Sequence, residues 1–283
     1  MPLDPCYRTM LWGGFVLILV ASAGIVLPVE DAAIGRLIDW IRPTNRYYDP
    51  LRLEISLAIA GLFLIWGAHE LSTRFPNPAN LPPFHWYGHF TAGAAIVPFF
   101  LIGHHELLGI PPGIWAEDGP MEYLTVLLLV LSAALAIRAT SRPGKAFGRE
   151  ERLVLWLFAI GLLFLAGEEI SWGQRILGIE TPAALKANNV QGELNLHNLT
   201  VGWNEVARMI IACLLSALIW LNESDRLPLP RGWLDGLRPP PALFFWLPLL
   251  LIPGHLYDEL FEQIVSFAIL AYALTIDRRA RGD

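Results

Sequence analysis

MEYLTVLLLVLSAALAIRA, residues 121–139, is one unbroken apolar run, and crossing a hydrocarbon layer as a helix takes about 20 such residues. Comparable runs lie near 11–28, 52–70, 86–106, 153–170, 206–221, 242–257 and 259–276, so the chain reads as eight apolar segments. Composition points the same way: of 283 residues, 54% are hydrophobic and only 16% are charged. Eight spans would use roughly 160 residues, leaving little for a separate globular domain. The expected fold is therefore all-α, a polytopic transmembrane helix bundle forming a single domain over 1–283, and a water-soluble enzyme is excluded. The net charge of −6 offers no basic patch for phosphates, which excludes a nucleic-acid partner.

The segment at 242–257 is the ambiguous one. Its apolar part, Ala242 to Pro253, is short and contains Pro248 and Pro253, so a kinked span and a re-entrant hairpin both fit. Basic residues discriminate. With eight spans, 13 of the 20 Lys and Arg residues share the side that carries Arg8, Arg142, Arg226 and Arg281. If the segment turned back, the split would be even. The positive-inside rule favours eight spans with both termini cytoplasmic. Acidic residues then divide the other way, 17 of 26 on the outer side. The first span, which contains the signal-peptidase-like Ala21-Ser22-Ala23, is expected to stay uncleaved because the apolar run continues through Leu27. Cys6 and Cys213 are too far apart in depth to form a disulfide.

The longest outer loop covers 171–205. Within it Thr181-Pro182 reads as an N-cap followed by proline at the first helical position, opening a short helix to about Lys186, with Asn188-Asn189 ending it. This piece is expected to lie on the outer membrane surface as a lid or collar.

Costly side chains collect at the outer span ends. They include His104, His105 and Glu106; Asp118 and Glu122; Glu168, Glu169 and Arg175; Glu193, Asn195 and His197 in the loop; and His255, Asp258, Glu259 and Glu262. Ionisable groups at membrane depth normally face the bundle interior and are functional candidates. Asp118 and Glu122 are four apart on one helical face, as are Asp258 and Glu262, each pair at a helix start where the dipole favours carboxylates. An offset of 140 residues superposes these pairs and also Arg138 on Arg278, a weak internal repeat. Glu168 and Glu169, about 100° apart on a helix, cannot both face one partner, so one at most is central. Several carboxylates in one cavity persist through a bound divalent cation, through shared protons, or through salt bridges to Arg175 and Arg208.

Glu117-Asp118-Gly119-x-x-Glu122, Gly167 to Arg175 (GEEISWGQR), Glu180-Thr181-Pro182 and Asn195-Leu196-His197-Asn198 (NLHN) together resemble a group of uncharacterised bacterial polytopic membrane proteins. The resemblance covers roughly residues 115–200 and the acidic start of the eighth span. It implies a bacterial inner-membrane protein and no particular activity.

From the residues themselves, the leading expectation is metal-assisted hydrolysis or group transfer on a lipid or lipid-linked substrate at the outer face. Glu168, Glu169 and His197 are the catalytic candidates. Asp118, Glu122, Arg175, Asn195, Asp258 and Glu262 are the substrate-binding ones. His104, His105, Glu106, His255 and Glu259 form a mixed nitrogen and oxygen donor set that suits Zn, Mn or Fe, although no strict metal motif is present. Hydrogen-bonded polar packing at helix ends is the competing explanation for these side chains. On the inner side, His85 and His89 share a face and fit an interfacial anchor better than a chelate. No phosphate loop and no G-x-S-x-G elbow occurs, so ATP-driven and serine-hydrolase chemistry lack support. A proton- or cation-coupled transporter, and a non-catalytic subunit presenting its acidic outer face to a protein partner, are the alternatives; membrane lipids are partners in every case.

Threading makes a direct prediction. In a chain whose own cysteines are replaced by serine, Cys at positions Asp118 and Asp258 should react with an impermeant maleimide from outside intact cells, and Cys at Arg226 only after lysis. Labelling that separates Asp118 from Asp258 would overturn the topology.

Overall fold

The computed structural model describes residues 5–26, 119–142, 146–189, 192–196, 235–237 and 258–282, with isolated positions at 58, 59, 61, 62, 65, 66, 69, 72, 114, 210, 213 and 214. Among the described residues all regular structure is helical and no strand occurs. The chain divides into two compact units, one of Met1–Pro111, Arg208–Pro228 and Pro240–Ile264, the other of Pro112–Ala207, Leu229–Pro239 and Val265–Asp283.

In the first unit, helix α1 spans Pro5–Val26 and meets the helical positions around Gly61. The approach is backbone to backbone: a Cβ added at Gly14 would lie 2.7 Å from the Gly61 carbonyl oxygen, and one at Gly61 would lie 2.6 Å from that of Gly14. Only glycine permits such a distance, and small residues at helix contacts are how helices associate where lipid removes the hydrophobic drive between them.

The second unit holds α2 (Pro120–Ser141), α3 (Arg149–Glu169), a 3-10 turn (Ser171–Gly173), α4 (Gln174–Leu177), α5 (Ala183–Lys186), a 3-10 turn (Asp235–Leu237) and the part of α6 (Asp258–Arg281) beyond Ile264. Helix α2 starts with Pro120 at its first helical position, carries Glu122 in its first turn and Arg138 in its last, and ends where Arg142 turns extended ahead of Pro143. Helix α3 starts where the Gly148 N–H donates to the Glu151 carboxylate at 2.8 Å, one arm of a capping box. The two helices form a hairpin.

The hairpin buries small side chains together with leucines. Leu129, Ala133, Ala136, Ala159, Leu162 and Ala166 form one buried cluster, and Ser132 and Leu155 are buried as well. Turned outward are Leu127, Val130, Leu131, Trp156, Leu157, Ile160, Leu163 and Phe164. Water would oppose this distribution, since contiguous apolar patches of such extent are rare on soluble monomers. Helix α2 is long and apolar enough to cross a membrane, with 44% of its most apolar 18 residues buried, and α3 taken with Ser171–Leu177 also qualifies as a pair bent by 67°.

The segments expected at 121–139, 153–170 and 259–276 thus appear as α2, α3 and α6. Those at 86–106 and 242–257 lie outside the described residues. The segments at 52–70 and 206–221 are represented by isolated helical positions.

At one end of this unit the segments assigned to the inner side converge. Asp277, with no exposed surface, accepts from Arg138 Nε at 2.9 Å and Nη2 at 2.7 Å, and from Arg281 Nη2 at 2.5 Å, while Arg142 Nη2 lies 3.6 Å away. Nearby, Glu151 accepts from Gly236 N at 2.8 Å, Arg279 donates to Gly236 O at 2.8 Å, and the Tyr272 hydroxyl donates to Leu237 O at 2.7 Å. Tyr272 also stands edge-on to Phe158, with centroids 5.6 Å apart. The C-terminal ends of α2 and α6 therefore meet.

Burial alone would raise the pKa of Asp277, but hydrogen bonds and charge from Arg138 and Arg281 outweigh it and hold the carboxyl below its ordinary value. A depressed folded-state pKa contributes stability that is complete above the unfolded value of about 3.9 and is lost as pH falls through the folded one. Because Arg138 is half exposed, solvent screening brings the cost of removing the acid to about 2 kcal/mol, below that of breaking a fully buried pair. Asp277→Asn should accordingly lower the thermal midpoint in detergent by an amount constant from pH 5 to 8 and shrinking in more acidic buffer. A gap that widened on acidification would contradict the assigned ion pairs.

Candidate functional site

The other end of the hairpin, about 30 Å away along α3, is where GEEISWGQR folds into a polar knot. Helix α3 stops at Glu169, and Ser171, Trp172 and Gly173 then take successive positive φ values of 46°, 57° and 73°. Left-handed backbone costs a non-glycine residue roughly 1–2 kcal/mol, so tertiary bonds must hold the first two there. Two sets of bonds do so. The Ser171 hydroxyl donates to Glu193 Oε2 at 2.6 Å and accepts from Asn195 Nδ2 at 3.0 Å. The Trp172 indole N–H donates to Glu168 Oε1 at 2.7 Å, and its ring lies over Gly167, where a Cβ would fall 2.9 Å from ring carbons.

Glu168 is buried, and its second oxygen accepts the Leu196 backbone N–H at 2.6 Å. One carboxylate thus joins the strained turn to the far end of the loop. Around it, Glu193 is paired with Arg175 and also accepts from Asn195 Nδ2 at 3.0 Å. Asn189 donates to Asn195 Oδ1 at 2.7 Å and to Asn195 O at 3.0 Å, and accepts from Glu193 N at 3.2 Å. Gln174 clamps the loop twice, donating to Thr181 Oγ1 at 2.5 Å and accepting from Leu194 N at 2.6 Å.

Of the residues expected in the site, this knot gathers Glu168, Arg175 and Asn195. Glu169 is next in the chain and partly exposed, as its offset around the helix requires. Glu122 occupies the first turn of α2, and Glu262 belongs to the first unit. Asp258 and Glu259 sit in the first turn of α6, with side chains outside the described set. Asp118, His104, His105, Glu106, His197 and His255 lie outside the described residues altogether. Among the described residues no three His, Cys, Asp or Glu side chains come together as metal ligands.

The short loop helix forms at Ala183–Lys186 and ends into Asn189, whose N–H donates to Leu185 O at 2.8 Å. Its N-cap differs from expectation. Pro182 holds that position without a side-chain cap, because the Thr181 hydroxyl is engaged by Gln174. Ser171, Trp172, Gln174 and Asn189 were not among the expected site residues. Their signal was the density of polar and aromatic residues in 171–174, but a partner twenty residues on cannot be read from spacing.

Compared with known proteins, the chain matches no family model, no curated protein and no solved structure.

The geometry separates the two adjacent glutamates. Glu168→Gln puts an amide NH2 against an N–H donor and should cost about 2–3 kcal/mol, seen as a lower thermal midpoint and faster proteolysis within 178–196. Glu169→Gln, at a partly exposed position, should cost less than Glu168→Gln. Equal effects of the two would show that Glu168 is not the anchor of the loop.

Proposed function

We propose that the protein is an eight-span, multi-pass protein of the bacterial inner membrane, with both termini cytoplasmic. Its outer face carries out metal-assisted hydrolysis or group transfer on a lipid or lipid-linked substrate. The observation that carries this reading is the pairing of an outward apolar surface along α2 and α3 with a buried, strained polar knot at one end of the same hairpin. A substrate that is part lipid and part polar headgroup meets both surfaces at once.

Position along the helices supports an end-located site. No Asp, Glu, Lys, Arg or His occurs between Glu122 and Arg138, between Arg152 and Glu168, or between Glu262 and Asp277. Alternating-access transport places its binding groups near the midplane, which counts against these three helices forming such a pathway.

Glu168, buried and holding the Trp172 indole and the Leu196 backbone, serves as a positioning residue, while the partly exposed Glu169 acts with His197 in proton transfer. Arg175 and Asn195 hold the loop from which His197 follows. Asp118, Glu122, Asp258 and Glu262 contribute to substrate binding, and a divalent cation would be held by His104, His105, Glu106, His255 and Glu259. Bound there, it would polarise a phosphoryl or acyl oxygen and activate water. A second reading, a non-catalytic subunit whose acidic outer face receives a protein partner, is favoured by the engagement of Glu193 as well as Glu168 within the knot.

Elemental analysis of the protein purified in detergent is expected to find stoichiometric Zn, Mn or Fe. Glu169→Gln should retain the metal while losing metal-dependent release of headgroup from a lipid-linked substrate. Wild-type protein with no bound metal, active or not, would overturn the metal-assisted mechanism.

A further inference from the structure

Beyond the knot, the chain leaves α3 through a 67° bend and presents a second apolar surface. Trp172 is 45% exposed, Ile176 and Leu177 are each 69% exposed, and Ile179 is 46% exposed. Four large apolar side chains in eight residues thus keep roughly half or more of their surface exposed. We infer that Trp172, Ile176, Leu177 and Ile179 form a rigid elbow seated among the acyl chains of the outer leaflet, so that lipid contact sets the position of the loop above it. This rests on the membrane reading given above.

Continuity names the occupant. The outward face of α3 runs through Leu157, Ile160 and Phe164, and Phe164 meets Trp172 edge to face, with centroids 5.3 Å apart. The elbow therefore extends the surface that lipid would cover on α3. Its hydrogen bonding points the same way. An interfacial tryptophan ordinarily keeps its N–H near water or headgroups, which limits how deep it sits. The N–H of Trp172 is already given to Glu168 at 2.7 Å, so the indole carries no unmet donor into hydrocarbon. Helix α4 closes on Gly178 in the left-handed conformation, and the Ile179 N–H donates back to Gln174 O at 3.0 Å, which satisfies that donor within the turn.

Rigidity follows from the same bonds. Glu168 holds the Trp172 indole with one oxygen and the Leu196 backbone with the other, while Gln174 grips Thr181 and Leu194. Depth of the elbow and placement of the 181–196 loop are thus one mechanical unit. The interfacial anchor is the Trp172–Ile179 segment rather than the Ala183–Lys186 helix, which offers a single large apolar side chain, Leu185.

The test is site-directed spin labelling of the full chain in lipid vesicles, with Cys6 and Cys213 replaced by serine. Nitroxides are placed singly by Ile176→Cys, Leu177→Cys and Ile179→Cys, with Leu157→Cys as a control on the outward face of α3 and Glu180→Cys as an aqueous control. Collision with oxygen and with a water-soluble nickel chelate reports depth. Labels at 176, 177 and 179 are expected to favour oxygen, as the label at 157 does, while that at 180 favours the chelate. If 157 favours oxygen but 176 and 177 behave like 180, or are shielded from both reagents, the elbow is overturned and the membrane reading stands. If 157 itself favours the chelate, the membrane reading falls and the elbow with it.

Discussion

The carboxylate of Glu168 is the point on which the described C-terminal end of α3 and its loop depend. It is buried, it has two oxygens, and each accepts one N–H donor, from the Trp172 side chain and from the Leu196 backbone. A buried anion with both acceptor positions in use is stabilising, whereas the same group lacking a donor would be costly. Those bonds offset the strain of a left-handed Ser171-Trp172 pair, and the strained turn in turn redirects the chain from the axis of α3 into a loop that folds back across its end.

The opposite end uses charge differently. Asp277 is a single buried acid among Arg138, Arg142 and Arg281, so the cluster keeps a surplus of positive charge while satisfying the carboxylate. Between the two ends, alanine and serine line the hairpin interface and leucine, isoleucine, phenylalanine and tryptophan face out. Small residues let the α2 and α3 backbones approach, and Leu129 and Leu162 fill the space between them, so dispersion contacts accumulate along the pair. Gly14 and Gly61 repeat the device in the other unit.

Much of this was legible in the chain. The apolar runs at 121–139, 153–170 and 259–276 marked α2, α3 and α6 to within a few residues at most ends, because a long run without proline propagates as one helix. The α3 helix starts four residues earlier than its apolar run and α6 ends five later, since charged residues continue a helix outside an apolar layer. The 100° offset of Glu168 from Glu169 allowed one at most to be central, and Glu168 is the buried one. The repeat that aligns Arg138 with Arg278 named no partner for either, and Arg138 bonds Asp277, one residue before Arg278.

Partners across long loops were out of reach. Trp172 looked like any tryptophan near a span end, and nothing in its neighbourhood revealed that its N–H turns inward to a carboxylate shared with Leu196. Sequence alone determined helix lengths, their apolar character, the charge imbalance between loops and the concentration of acids at span ends, since these depend on residue type and on a period of 3.6. Which acid is buried, which arginine meets Asp277 and how the Ser171–Leu196 stretch closes on itself were decided only by tertiary structure. Each is a hydrogen bond between residues brought together by the path of the chain, and donor–acceptor distances of 2.5–3.0 Å carry no trace in local spacing.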